Sequence, residues 1–119
     1  MRPVPVTLND HTRGDTWEGI TIGPVMFNGA QPTSVLSSCR MQFRDDNDTL
    51  GYELNSVPAT GKGPITITNS TTWVVTVPAQ QLPLDAATWR WDFETTDAGG
   101  VVRTLYSGIL RIKADVTHV

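Results

Sequence analysis

Hydrophobic and polar residues alternate strictly along the segment from Trp89 to Thr95. Aromatic rings stand at positions 89, 91 and 93, and charged side chains stand at positions 90, 92 and 94. A period of two residues is typical of a β-strand with one buried face and one solvated face. Three aromatic rings on one face bury a large apolar area, so this strand requires a second apolar layer to cover it.

The same period recurs elsewhere in the chain. Residues 38–44 alternate polar and apolar positions, with Cys39 in the apolar row, and Trp73, Val75 and Val77 share one face of a second run. Turn signals separate the runs, and the clearest is Asn28-Gly29, a dipeptide that favours a tight hairpin. About eight short strands at regular spacing predict an all-β sandwich or barrel.

Three segments depart from the simple strand pattern. Residues 79–87 carry the only helical tendency, and Pro83 limits it to about one turn. Gly108 is expected to break or bulge the last strand. Prolines at positions 3 and 5 keep the first residues out of a sheet interior, so that this segment is predicted to be an arm or an edge strand.

Length and composition indicate one globular domain of 119 residues. The formal net charge of -3 argues against a general nucleic-acid binder and against an anionic-membrane anchor. Cys39 is the only cysteine, so that no internal disulfide is expected. The amino terminus lacks the apolar core of a signal peptide, and no apolar run reaches membrane-spanning length, which favours folding in a reducing cytoplasm.

Residue types that could carry chemistry do not form a recognisable site. Cys39 lies in an apolar row with no histidine motif beside it, and is predicted to be a structural thiol. The run Asp45 to Asp48 could hold calcium, but it lacks the ligand pattern of an EF-hand, and a solvated turn is the preferred interpretation. His11 and His118 lie near opposite termini and outside any zinc-ligand spacing.

Asp92 and Glu94 share one face of a strand, at a separation of about 7 Å that glycosidases also use. Alternating charges are equally typical of any solvated sheet face, so the protein is predicted not to be an enzyme. No catalytic, cofactor-binding or metal-binding residue is assigned. Trp17 differs from the other three tryptophans because no strong alternation places it in a core row. A core position is still the preferred interpretation, and an interfacial or sugar-stacking ring is the alternative.

A series of patterns along the chain matches a known type of domain. In order they are Arg13-Gly14-Asp15-Thr16-Trp17, the turn 28–32, the outward-basic strand 39–44, the pair 65–67 and 73–77, the bend 82–87, the strand 89–93, residues 99–108 and the final segment 109–117. This order resembles the small immunoglobulin-like domains of tailed bacteriophages and prophages. It is similar to the amino-terminal domain of baseplate upper proteins, over roughly residues 12 to 117.

The resemblance implies an immunoglobulin-like antiparallel β-sandwich of about seven to nine strands. An extended arm would occupy residues 1–11 and the sandwich residues 12–119. The chain ends where baseplate upper proteins continue into receptor-binding modules, so an adaptor or decoration role is expected rather than receptor binding. The interface expected for such a role comprises Arg2, Pro3, Val4, Pro5, Val6 and Trp17.

The function implied is that of a virion structural protein, a tail or baseplate component that docks neighbouring subunits or fibres. A capsid decoration (cement) protein and a carbohydrate-binding module are the alternatives. The expected partners are other virion structural proteins of the tail, baseplate, fibre or capsid, and further copies of the chain in the particle. Neither nucleic acid nor membrane is expected as a partner, and no cofactor is expected. The expected location is the virion, assembled in the host bacterial cytoplasm.

Overall fold

The computed structural model describes residues 3–57 and 61–115, and these residues form strands, turns and loops without a helix. The strands of the described part are β1 (Val4–Pro5), β2 (His11–Thr12), β3 (Thr16–Trp17), β4 (Ile20–Ile22), β5 (Leu36–Arg44), β6 (Leu50–Asn55), β7 (Gly63–Pro64), β8 (Thr66–Asn69), β9 (Val74–Val77), β10 (Gln80–Gln81), β11 (Ala87–Asp97) and β12 (Val102–Lys113). The predicted all-β class is therefore correct.

The larger sheet is built around the aromatic strand β11. Its order is β1-β12-β11-β5-β6-β7, and β2 also pairs with β12. The neighbours of β11 are both antiparallel to it, and they place Trp91 opposite Phe43 on β5 and Gly108 on β12. The segment that the alternating pattern marks most strongly is thus a central strand, as its content of buried rings requires.

A smaller layer covers the apolar face of this sheet. It consists of a sheet of order β4-β9-β8 and a short pair formed by β10 and β3. Phe43, Phe93 and Leu110 from the larger sheet share one core with Val75 and Val77 from the smaller layer, and all five are almost completely buried. The result is a sandwich-like arrangement, in which alternate positions of each long strand face inward.

Trp73 reaches the core from a turn and not from a strand. It has a positive φ of 59°, which is rare for a bulky residue, and β9 begins only at Val74. Its ring is 1% exposed, and its indole Nε1 donates a hydrogen bond of 2.8 Å to the carbonyl of Ser34. Burial and this hydrogen bond hold a backbone conformation that the residue would not adopt alone.

The turn and breaker predictions have mixed outcomes. Asn28 and Gly29 both have positive φ, at 52° and 79°, and the flanking residues Phe27 and Ala30 form a bridge, so that the predicted tight turn is confirmed. The expected helical turn in residues 79–87 is wrong. Gln80–Gln81 instead pairs with β3, because the edge of β3 offers hydrogen bonds that one isolated turn of helix cannot match.

The expected break at Gly108 is also wrong, because β12 runs through this position without interruption. The irregularity in the pairing of β11 with β12 lies between Phe93 and Glu94, where Leu105 is the extra residue on β12. Its side chain is 5% exposed, so the bulge adds a buried residue to the core.

Candidate docking surface

The amino-terminal segment lies on the larger sheet of its own chain. Val4 and Pro5 pair in parallel with Tyr106 and Ser107, and the Val6 amide donates a hydrogen bond of 2.8 Å to the Ser107 carbonyl. Leu8 continues the contact with a 3.3 Å bond to the Ile109 carbonyl. Of the alternatives that the prolines left open, the structure shows the edge strand, and the segment does not project into solvent as an arm.

Gly108 allows this close approach. A Cβ atom at position 108 would collide with the carbonyl oxygen of Val6 and come within 3.2 Å of the indole Nε1 of Trp91. The backbone of the amino-terminal segment therefore lies directly against β12 at a position where a side chain would push it away. The glycine that the sequence suggested as a breaker is a packing contact.

The predicted interface residues of the amino terminus differ in accessibility. Val4 and Pro5 are exposed, with Val4 at 55%, whereas Pro3 and Val6 are half-buried. Arg2 lies outside the described residues. The exposed side chains of Val4 and Pro5 remain available to a neighbouring subunit, although their backbone is already committed to β12.

The structure places Trp17 in the core, the position preferred from the sequence, and removes it from the predicted interface residues. Its side chain is 5% exposed and packs edge-on against Phe43, with the ring centroids 6.4 Å apart. The ring is in the core and is not a surface for stacking a sugar or a partner. Trp73, Trp89 and Trp91 are also buried, at 1%, 9% and 3% exposure, as their alternation predicted.

One end of the molecule carries exposed aliphatic side chains. Val35, Val101 and Val102 are 46%, 46% and 56% exposed, and the Val35 carbonyl accepts a hydrogen bond from the amide of Ala98. We call Val101 and Val102, on the hairpin between β11 and β12, the valine tip. Exposed aliphatic residues that stand close together on a rigid hairpin are suited to protein contact.

Asp97 stabilises the hairpin that carries the valine tip. Its Oδ1 accepts hydrogen bonds from the amides of Gly99 and Val101, and its Oδ2 lies 2.9 Å from the Arg103 guanidinium. The hydrogen bond from Arg103, with those from the two amides, lowers the pKa of Asp97. The Arg103 guanidinium also stands over the Phe27 ring, 5.2 Å from its centroid. The tip is therefore preorganised by a charged network.

The solvated face of the larger sheet contains a second network, centred on Glu53. This carboxylate is 6% exposed, and it accepts hydrogen bonds from Gln42 at 2.7 Å, Lys62 at 2.7 Å and Asn55 at 3.1 Å. Burial alone would raise the pKa of Glu53, but the hydrogen bonds from Lys62, Gln42 and Asn55 together lower it to about 2. The network ties Lys62, which precedes β7, to β5 and β6.

The acidic loop of residues 45–48 is an Asx-type turn. Asp45 Oδ1 accepts hydrogen bonds of 2.9 Å from the amides of Asn47 and Thr49. The Asp48 carboxylate lies 3.4 Å from Arg90 and 4.0 Å from Arg44. Within residues 3–57 and 61–115, His, Cys, Asp and Glu side chains form no group of three or more that could hold a metal ion.

Asp92 and Glu94 lie half-buried on the same solvated face. Burial raises the pKa of Asp92, and the nearby Glu94 carboxylate raises it further, while Arg40 and Arg44 act in the opposite direction. Glu94 is itself paired with Arg40 at 3.0 Å. Glu94 thus forms a cross-strand ion pair on the sheet surface, as alternating charges on a solvated strand face favour.

Cys39 and His11, the remaining residues with reactive or metal-binding side chains, do not lie together in one site. Cys39 is 3% exposed, and burial raises the pKa of its thiol to about 11, against the weaker effect of a hydrogen bond from Ser56. Such a thiol is structural, as predicted. The Nε2 atom of His11 lies 3.1 Å from the carbonyl oxygen of Asp15. His118 lies outside the described residues.

Two adjoining cavities form a cleft that is lined by the amino-terminal segment and by β3 and β4. Its apolar end, of about 250 Å³, is lined by Val6, Leu8, Ile20, Ile22, Trp91 and Tyr106. Its acidic end, of about 380 Å³, includes Asp10, Asp15 and Glu18, and the two ends share Leu8 and Ile20. We call this feature the arm–β4 cleft.

No pattern in the sequence indicates the arm–β4 cleft or the Glu53 network. The cleft residues of the amino-terminal segment and β4 are separated by about 70 residues or more in sequence from Trp91 and Tyr106, which also line the cleft. Glu53 lies in a segment where polar and apolar residues alternate only weakly. Gln42 on β5 and Lys62 just before β7 reach Glu53 only when β5, β6 and β7 have assembled into the sheet. Among the described residues there is no helix with the length and hydropathy needed to span a bilayer.

Comparison with known proteins gives only distant structural likeness. No family model and no curated protein sequence matches the chain. Among solved structures, the chain is similar to the crystal structure of CopC from Methylosinus trichosporium OB3b, with a TM-score of 0.48 and 7% sequence identity, over 92% of this chain and 89% of that chain. Nothing about function follows from a likeness of this size.

Proposed function

We propose that the protein is a structural component of a tailed-bacteriophage virion, an adaptor of the tail or baseplate that docks neighbouring subunits or fibres. The proposal takes the phage assignment from the sequence resemblance over roughly residues 12 to 117. The docking role is supported by one structural observation above all. A rigid sandwich presents the exposed valine tip on a hairpin that Asp97 and Arg103 hold in place.

We further propose that the sandwich is immunoglobulin-like, and the strand order supports this assignment. In the variable-type immunoglobulin sandwich one sheet contains strands G, F, C and C′, and the other contains B, E and D. The order β12-β11-β5-β6 corresponds to the first set, and β4-β9-β8 corresponds to the second. The inter-sheet disulfide of antibody domains has no counterpart, since Cys39 is the only cysteine.

Docking through a sandwich of this kind needs little area for each contact. In a symmetric particle every interface is repeated, and several weak contacts act together through the high effective concentration of the assembled subunits. The valine tip and the exposed side chains of Val4 and Pro5 lie on accessible surface and are each suited to one such contact. Copies of the chain are therefore proposed to act together in the particle.

The location in the particle distinguishes the tail adaptor from the alternative of a capsid decoration protein. Purified tailed particles are examined by quantitative mass spectrometry and by electron microscopy with an antibody against the protein. We expect the protein in the particles, with the label at the tail or baseplate. Label on the capsid shell would favour decoration, and absence from particles that are otherwise complete would refute the virion assignment.

The valine tip provides a direct test of the docking role. Val101→Ser and Val102→Ser together remove exposed aliphatic surface without touching the core, so we expect normal folding and reduced incorporation into particles. Ile109→Ser, which changes another exposed aliphatic residue (39% exposed) on the same strand outside the tip, is the matched control. Equal incorporation of the wild type and both variants would contradict docking through the tip.

The carbohydrate-binding alternative has lost its main support. It required an exposed indole to stack on a sugar ring, and all four tryptophans are buried, with Trp89 the most exposed at 9%. The measurement that would restore this alternative is a saturating change of tryptophan fluorescence on titration with an oligosaccharide.

A further inference from the structure

We propose that the arm–β4 cleft binds an extended segment of a partner subunit as an additional strand beside β4. The segment has aliphatic side chains at alternate positions and a basic residue at the end that lies near Glu18. The inference deepens the proposed docking function and rests on it. It identifies a second contact, distinct from the valine tip, and the chemistry of its occupant.

The first observation is the unpaired edge of β4. This strand pairs with β9 through Ile20, Thr21 and Ile22, and its other edge has no strand partner in the described part of the chain. In the immunoglobulin sandwich the first strand of the domain pairs with this edge. Here β1 and β2 pair instead with β12, on the opposite sheet. The backbone groups along this edge of β4 are thus available to an incoming strand.

The second observation is the apolar lining beside this edge. Val6 and Leu8 line the cleft from the amino-terminal segment and Ile20 and Ile22 line it from β4, and Tyr106 of β12 also belongs to the lining. A strand inserted into the cleft would direct alternate side chains toward this lining, because successive residues of a strand point to opposite faces. Aliphatic residues at every second position are the side chains that such a lining selects.

The third observation is a buried donor without an acceptor. Trp91 belongs to the lining of the apolar end, and its Nε1–H has no hydrogen-bond partner among the described residues. An unpaired buried N–H group is costly. A carbonyl group of the inserted strand is an acceptor of the kind that this donor lacks.

The fourth observation is the charge at the other end of the cleft. Asp15 and Glu18 are exposed and form no ion pair within the described residues, whereas Asp10 is already paired with Lys113 at 3.3 Å. Two unpaired carboxylates favour a cationic residue of the occupant. Because the acidic end precedes β4 in the chain, an antiparallel segment would have its aliphatic residues first and its basic residues last.

The test uses the full-length, ¹⁵N-labelled protein and a synthetic peptide of sequence acetyl-Thr-Val-Thr-Val-Thr-Arg-Arg-amide. We expect a saturable titration in which amide shifts are confined to the residues of the cleft walls and the Trp91 indole N–H moves. A peptide with glutamate in place of both arginines is expected to bind more weakly. A peptide N-methylated at all five residues of the Thr-Val-Thr-Val-Thr segment has no amide in that segment to donate to β4 and is expected not to bind.

Charge reversal in the protein supplies the matched pair of variants. Glu18→Lys is expected to weaken binding by about threefold to tenfold, because an attraction between exposed charges becomes a repulsion. Asp46→Lys makes the same change at an exposed position outside the cleft and is expected to leave binding unchanged. An equal effect of both variants, shifts outside the cleft or a titration without saturation would overturn the inference.

The two proposals fail separately. If the peptide does not bind but the protein is present in purified particles, the cleft inference is wrong and the virion assignment stands. If the peptide binds as described and the protein is absent from particles, the virion assignment is wrong and the cleft is a strand-binding site of another assembly.

Discussion

Replacement of Glu53 by glutamine removes a buried charge whose two oxygens accept three side-chain hydrogen bonds. Lys62 and Asn55 bond to one oxygen and Gln42 bonds to the other. Glutamine has nearly the same shape, but it cannot pair with the Lys62 ammonium and offers only one acceptor oxygen. The substitution therefore tests the charged network of the sheet face while leaving the packing of β6 largely unchanged.

The size of the effect follows from the pKa. Its lowering from an ordinary value of 4.5 to about 2 means that the folded protein stabilises the carboxylate form. At about 1.4 kcal/mol for each pKa unit, this stabilisation amounts to about 3 kcal/mol. The Lys62 side chain is 39% exposed, so its ammonium returns partly to water in the variant. The expected loss of unfolding free energy for Glu53→Gln near neutral pH is therefore about 2–3 kcal/mol.

The contribution of Glu53 to the unfolding free energy depends on pH, and the lowered pKa gives the direction of this dependence. Because the pKa of Glu53 is lower in the folded state than in the unfolded chain, its contribution is fully present above about pH 4.5. The contribution decreases as the pH falls from there toward about 2. The wild type is thus expected to lose more stability over this interval than Glu53→Gln, and the two curves approach each other at low pH.

Urea denaturation followed by tryptophan fluorescence measures this difference at several pH values. Glu18→Gln, at an exposed position with no ion pair in the described part, is the matched control and is expected to remain within about 0.5 kcal/mol of the wild type. The reasoning is refuted if Glu53→Gln is as stable as the wild type near neutral pH. It is equally refuted if the two proteins lose stability in parallel between about pH 4.5 and 2.

Three further outcomes are expected from the core and the amino-terminal segment. Trp91→Ala should lower the unfolding free energy by about 3–5 kcal/mol in the same denaturation assay, and wild-type stability would contradict the core position of this ring. Gly108→Ala should displace the Val6 backbone at a cost of about 1–3 kcal/mol and speed proteolysis of the amino terminus, and unchanged proteolysis would contradict the close contact. Cys39 should react with a thiol reagent near neutral pH only after unfolding, because the thiol is buried and its pKa is raised; rapid labelling of the native protein would argue against its inward position.

The two-residue period predicted most of the core correctly. Positions 89, 91 and 93 on β11 and the apolar row of β5 face inward as the alternation requires, because a strand reverses side-chain direction at every residue. The tight turn at Asn28-Gly29 was equally readable, since few dipeptides tolerate two successive positive φ angles. These signals are local, so they do not depend on where the rest of the chain lies.

The errors occur where a partner distant in the sequence decides the outcome. Trp17 lacks a strong alternating pattern, and only its contact with Phe43 makes it a core residue. Gly108 has the composition of a breaker, and its role appears only when Val6 lies against it. Residues 80–81 form a strand because β3 is beside them.

The sequence by itself determined that the chain folds into β-strands with defined inner and outer faces, because side-chain periodicity is a property of the strand alone. The tertiary structure decided which edges remain open, which carboxylate is buried with a lysine, and where the amino-terminal segment lies. The arm–β4 cleft exists because β1 and β2 pair with β12 and leave the edge of β4 without a strand partner in the described part. Such a choice between competing strand partners depends on long-range packing, which no local pattern in the sequence encodes.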